Sequence, residues 1–234
     1  MLQIVPGLWT FTGLLAGRVY AIEDPDGITL IDGGMGLAAD RIMRQLAALG
    51  HAAYTVKRIL LTHAHPDHAG GLPELRERTG AQVIVPAGER DVVEGKVPIK
   101  VPSKVDVGRF QRPMIPPPTT LKPTPVDRVV SDGDVLSEVL GGLHAVGTPG
   151  HSPDHMAYWQ PERRILFCGD VMMRIPLPRL TLPFAAFTVD MARNKASIKR
   201  VAEMDVDLLC LGHGVPLRNA APTIRAFARK IGVL

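Results

Sequence analysis

The segment "LLTHAHPDHAGG" sets His63, His65, Asp67 and His68 directly after an apolar run. Three of the chain's 8 histidines fall in these few positions. Imidazoles and a carboxylate at this density are the donors that divalent metals take. In an extended segment, residues i and i+2 project to the same side, so His63 and His65 can converge on one ion. Pro66 favours a helix start, which aims Asp67 and His68 elsewhere and lets them serve a second ion. A lone histidine is usually structural, but this four-residue pattern points to metal binding.

So short a segment cannot complete a coordination shell. His151 in "GTPGHSPDH", Asp170 at the end of "ILFCGD" and His213 at the end of "DLLCLGHG" are the candidates to complete it. Each follows an apolar run and has glycine beside it, and glycine lets the backbone bend so that one side chain enters a site. Alone, each would read as a turn or capping residue; beside the first cluster they read as ligands. Carboxylate and imidazole donors without thiolate suit zinc first, and also iron or manganese. Cys168 and Cys210 lie close before two of these residues but inside apolar strands, and read as buried, inert thiols. Asp32, before Gly33 and Gly34, reads by itself as a turn residue. His155 is a support or a strand residue, and His51 and His144 read as structural.

The elements around these residues alternate. Residues 18–23 and 28–31 read as strands joined by the turn "DPDG", and the N-terminus as a first hairpin. "LAADRIMRQLAALG" has helical spacing with Gly50 as a stop. "KRILLT" and "AQVIVP" read as strands flanking one helix over "HAGGLPELRERTG". Short strands return in "DRVVSDGD", "GGLHAVGT", "HMAYWQ", "RILFCGD" and "DLLCLG", with helices from about Asp190 to Met204 and Ala220 to Ile231. This order argues for an α/β fold. Between them, residues 95–126 carry eight prolines, which forbid a continuous helix. Such a stretch is a functional flap or binding arm, or a surface loop that wraps the body.

With 234 residues, 46% hydrophobic, the chain has the composition of a globular protein. One domain over 1–234 is expected, with the proline-rich insertion at about 95–126. No apolar run is long enough for a membrane-spanning helix. No positive n-region precedes the first apolar residues, so no export signal is read. With 2 cysteines there is no disulfide framework, and a cytoplasmic location is expected. The net charge of +4 comes from basic stretches without interleaved aromatics, which favours a solvated basic face over a nucleic-acid surface.

The ordered set from "IDGG" near residue 32 to "LGHG" near residue 213 resembles the metallo-β-lactamase superfamily. The resemblance implies a four-layer α/β/β/α sandwich of two mixed β-sheets, with a metal site at the edge where the sheets meet. It implies two divalent cations, one on His63, His65 and His151 and the other on Asp67, His68 and His213. Asp170 would bridge them, and Asp32 would support the ligands from behind. Two close cations acidify a bridging water, and the resulting hydroxide attacks a carbonyl or phosphoryl centre. Asp67 is the candidate catalytic residue, orienting the water or relaying its proton.

The expected activity is hydrolysis of an ester-like bond in a partly hydrophobic small molecule, with lactones or esters first and thioesters second. A mononuclear iron dioxygenase using His63, His65 or His151, and Asp170 is an alternative, as is a phosphodiesterase. "TPGHSPDHMAYW" with "FCGD" is similar to quorum-quenching lactonases, but Met173 stands where the best-known of these place a tyrosine. The chain ends soon after His213, so the helical substrate domain of glyoxalase II is not expected. The apolar loop Met172–Phe187 and the arm 95–126 are candidate walls for the substrate; core packing or a homodimer contact is the other reading.

Overall fold

The computed structural model describes residues 1–176 and 178–234. Leu177, inside the apolar loop 172–187, lies outside the described residues. Seven strands form the first sheet in chain order: β1 (Leu2–Val5), β2 (Leu8–Thr10), β3 (Tyr20–Asp24), β4 (Gly27–Ile31), β5 (Val56–Leu60), β6 (Gln82–Pro86) and β7 (Arg128–Val130). Pairing is antiparallel from β1 to β4 and parallel from β4 to β7. The second sheet holds β8 (Val135–Leu136), β9 (Leu143–Gly147), β10 (Met156–Gln160), β11 (Ile165–Gly169) and β12 (Leu208–Leu211), with spatial order β12-β11-β10-β9-β8. Only β11 and β12 run parallel there. The helices are α1 (Ala38–Ala47), α2 (Pro66–Ala69), α3 (Leu72–Thr79), α4 (Arg90–Val93), α5 (Met191–Ala202) and α6 (Ala220–Lys230).

Strand alternation sorts the apolar side chains into three buried layers. In β4, Leu30 faces α1 and α3, where Ile42, Leu46, Leu72 and Leu75 pack against it. Its neighbour Ile31 faces the second sheet, among Tyr20, Leu60, Tyr158 and Phe167. In β11, Ile165 and Phe167 face inward, whereas Leu166 and Cys168 meet Ile198, Val201 and Ile224 of α5 and α6. The result is the expected α/β/β/α sandwich of two mixed sheets.

Local signals account for most element ends. Pro66 opens α2, Gly80 closes α3 in the left-handed region at φ 68°, and the Asp190 carboxylate caps α5 by accepting from Arg193 N–H. One expectation fails. "HAGGLPELRERTG" is not one helix but two, broken at Gly70–Gly71. The chain from Gly33 to Gly36 passes so close that a Cβ at Gly71 would strike Gly33 O, and one at Gly70 would strike Gly36 N. The break lets Gly33 N–H donate to His68 O at 2.7 Å and Gly71 N–H to Gly34 O at 2.9 Å. Helix continuity is given up to bring the Asp32 loop against the His68 turn.

The arm 95–126 has no strand and a single helical turn, Arg112–Met114. It is tied down nonetheless. Ile99 N–H donates to Thr119 O, Thr124 N–H to Val93 O, and Gln111 Oε1 accepts from Ala186 N–H. Ile99, Val107 and Thr124 are buried, so the arm is a folded wall. Among the described residues no helix is long and apolar enough to cross a membrane.

Candidate metal centre

Five strands deliver four of the proposed ligands, and Asp32 that supports them, from their C-terminal ends. Asp32 follows β4, His63 follows β5, His151 follows β9, Asp170 follows β11 and His213 follows β12. Two tyrosines from the inter-sheet core hold the rims in place. Tyr158 Oη donates to Leu61 O and Tyr20 Oη to Leu211 O, each at 2.7 Å. Met156 N–H also donates to Thr62 O at 2.9 Å, which stitches one sheet to the other beside His63.

There the seven residues expected from the sequence meet. Donor atoms of His63, His65 and His151 lie within 4.8 Å of one another, as do those of Asp67, His68 and His213, and of His63, His68 and Asp170. Asp170 reaches both sides. Its Oδ1 stands 3.5 Å from His68 Nε2, and its Oδ2 stands 3.4 Å from His151 Nε2 and 3.2 Å from His213 Nε2. Asp67 Oδ2 stands 3.0 Å from His213 Nε2. Donors around one tetrahedral cation at 2.0–2.1 Å are about 3.4 Å apart, so this spacing fits shared cations.

The imidazoles are held with one nitrogen free. His68 Nδ1–H donates to Asp32 Oδ2 at 2.8 Å. His63 Nδ1 faces Thr62 Oγ1 at 3.0 Å, and that hydroxyl in turn donates to Asp32. His151 Nδ1 faces Thr188 Oγ1 at 3.2 Å, a hydroxyl that donates to Phe184 O. Each acceptor fixes its ring with the proton on Nδ1. The opposite atoms, Nε2 of His63, His68 and His151, are buried without a hydrogen-bond partner, as is Asp170 Oδ1. Leaving four buried polar atoms unpaired in one cluster would cost several kcal/mol, at about 1–3 kcal/mol each. A cation set among them removes that cost, so these residues fit a metal.

Charges lean the same way. Burial opposes a proton on His213, but Asp170 and Asp67 outweigh it and push its pKa up to about 9. Burial likewise opposes a proton on His68, which Asp170, Asp67 and Asp32 hold well above the usual range. Burial also opposes ionisation of Asp67, yet His68 and His213 bring it down to about 2. By contrast, burial pushes His65 down to about 4. The carboxylates of Asp67 and Asp170 thus favour positive charge beside His68 and His213.

Other residues are placed as follows. Asp32 is 2% exposed and accepts from Thr62 N–H and His68, the contacts that a residue supporting the ligands would make. His155, left open by the sequence, accepts from Asp170 N–H through Nε2 at 3.0 Å and contacts Thr148 Oγ1 through Nδ1. Burial pushes it down to about 3, so it stays neutral and orients Asp170. Cys168 and Cys210 are buried, and burial pushes both thiols up, as inert cysteines require. His51 pairs with Glu23 at the surface, and His144 lies within β9, both away from the cluster. Sequence reasoning missed Thr62 and Thr188. Thr62 carried a weak signal, a hydroxyl between a buried strand and His63; Thr188 carried none.

A cavity of about 390 Å³ opens onto the cluster, lined by His65, Asp67, His151, Asp170 and His213 together with both predicted apolar walls. Ile99, Val101 and Pro102 come from the arm, and Met173, Phe184 and Phe187 from the second loop.

Comparison with known proteins agrees with this geometry. The family model of the metallo-beta-lactamase superfamily matches residues 12–213. The chain is 28% identical over 216 residues to the probable metallo-hydrolase YflN of Bacillus subtilis (strain 168), covering 86% of this chain and 81% of that protein. It is 28% identical over 191 residues to a hydroxyacylglutathione hydrolase of Hyphomonas neptunium, covering 81% of this chain but only 54% of that protein. A metallo-beta-lactamase family protein from Thermus thermophilus superposes with a TM-score of 0.70 at 22% identity, over 98% of this chain and 80% of that one. BJP-1, a subclass B3 metallo-beta-lactamase of Bradyrhizobium japonicum, gives 0.69 at 23% identity, over 97% and 87%. Sandwich, ligand spacing and family match agree: the chain belongs to the metallo-beta-lactamase superfamily.

Proposed function

We propose that this protein is a metal-dependent hydrolase of ester-like bonds, acting on lactones, esters or thioesters with an apolar portion. The observation that carries the reading is the set of buried, unpartnered Nε2 atoms of His63, His68 and His151 around Asp170. His63, His65 and His151 would hold one divalent cation; Asp67, His68 and His213 would hold the other; Asp170 would bridge them. Zinc suits the donors best. When bound, such a pair acidifies a water and polarises the oxygen that gains charge during attack.

The remaining work falls to the chain's own side chains. Asp32 and Thr62 keep His63 and His68 in the tautomer with Nε2 free. Asp67 lines the cavity and faces His213 across 3.0 Å, so its Oδ2 can orient a nucleophilic water and accept or pass on its proton. Ile99, Val101, Phe184 and Phe187 offer an apolar bed that excludes water and aligns the scissile carbonyl over the cluster. Met173 lines the same cavity and has no proton to give the carbonyl oxygen. The likeness to hydroxyacylglutathione hydrolases supports thioesters among the substrates.

The test is a substrate panel on one metal-quantified preparation: lactones, aryl esters, thioesters, bis-p-nitrophenyl phosphate and β-lactams. Turnover of an ester-like member that is lost in His65→Ala and after chelation supports the reading. One iron per chain with oxygen uptake and no hydrolysis would overturn it in favour of a dioxygenase. Turnover of the phosphodiester alone would replace it with the phosphodiesterase reading.

A further inference from the structure

Glu89 is a carboxylate where the fold has no obvious use for one. It ends the helical turn Ala87–Glu89 after β6 and is 3% exposed. Burial pushes its pKa up, opposed by the Ser152 hydroxyl and the N–H groups of Ala64 and Asp154, while the Asp154 carboxylate adds to the rise. Ser152 Oγ donates to Oε1, and Ala64 N–H approaches Oε2 at 3.4 Å. The same segments meet again where Gly88 N–H donates to Asp154 Oδ2 at 2.6 Å. Burying a carboxylate without a cation is costly, and here the compensating donors belong to two particular stretches. Ala64 sits between His63 and His65, and Ser152 and Asp154 follow His151. Those three histidines are one of the two proposed cation sites, with ring centroids 4.6–4.8 Å apart. Among the described residues, the hydrogen bonds of the Glu89 side chain reach Ser152 and Ala64, and neither partner belongs to the Asp67, His68 and His213 group.

We propose that Glu89 is the positioning residue of the His63–His65–His151 site, clasping the strand end that carries two of its ligands to the turn that carries the third. The proposal rests on the metal reading above. It separates the two cations: a change at Glu89 loosens one site and leaves the other.

The experiment is cation titration of the full chain after chelation, with zinc in competition against a chromophoric chelator and with cobalt followed by its absorption spectrum. The wild type is expected to bind two cations. Glu89→Ala is expected to weaken one of them about 10-fold or more, in the range seen when groups that orient metal ligands are removed. The affinity of the other should hold, and the cobalt spectrum should change only in the component from the weakened site. Glu89→Gln keeps an acceptor of the same shape and should recover part of the loss. Ser152→Ala should move the same cation by a smaller factor, and these two variants carry the test if Glu89→Ala does not fold. Folded variants with both affinities unchanged, or with both weakened equally, overturn the proposal alone. A wild type that binds no cation overturns the metal reading and the proposal with it.

Discussion

Replacing Asp32 by asparagine tests how the site chooses its histidine tautomers. Asp32 lies at φ 64°, a left-handed conformation that asparagine adopts as readily as aspartate. The backbone should therefore stay in place, and only the carboxylate's second acceptor is exchanged for an NH2. Three donors converge on that carboxylate: Thr62 N–H at 2.8 Å, Thr62 Oγ1 at 3.0 Å and His68 Nδ1 at 2.8 Å. If the asparagine oxygen keeps Thr62, its NH2 faces His68 Nδ1. The His68 proton must then either oppose another donor or move to Nε2, where it blocks a cation. A hydrogen bond to a charged group contributes about 1.5–3 kcal/mol, so cation affinity at Asp67, His68 and His213 should fall by about 10–100-fold. His63 is buffered by the intervening Thr62 hydroxyl and should lose less. Chelator competition on the Asp32→Asn protein, compared with wild type, reads both affinities. Two cations bound as tightly as in wild type would refute the tautomer argument, and equal losses at both sites would refute its direction.

Two further outcomes follow from the packing. A Cβ at Gly212 would overlap Asp170 Oδ1 and crowd His68, so Gly212→Ala should displace the bridging carboxylate. Metal content by elemental analysis should drop below that of wild type while the far-ultraviolet circular dichroism is kept. Away from the site, Asp127 accepts from the Arg76 guanidinium and from Val83 N–H, tying α3 to β6. The Arg76 contact, helped by Val83, holds its carboxyl below the usual range. A lowered folded-state pKa means that this stabilisation is complete above the unfolded value of about 3.9 and disappears as the pH falls through the folded one. Asp127→Asn should cost no more than about 1 kcal/mol at neutral pH, because the pair is partly solvated. Urea melts should show the difference vanish in the acid range; a difference that persists there would contradict it.

The amino-acid sequence by itself determined the sandwich and pointed to the seven side chains that gather at its edge. His63, His65, Asp67 and His68 announce themselves because their spacing is local, and His151, Asp170 and His213 because each ends an apolar run beside a glycine. Strand and helix periods are local as well, which is why β4, β5, β11 and α5 were legible. The break at Gly70–Gly71 was not, because its cause is the backbone of Gly33, far away in the chain. The same holds for everything that tunes the site. The free Nε2 of His151 depends on Thr188, the orientation of Asp170 on His155, and the link from the Ser152 turn to Ala64 on Glu89. Each of these is a hydrogen bond between segments that only the packing of two sheets brings within reach. Such a contact leaves no periodic trace in either partner, so the tertiary structure alone decided it. The arm shows the division in one element: its prolines excluded a helix, but only its anchors to Val93 and Ala186 made it a wall of the cavity.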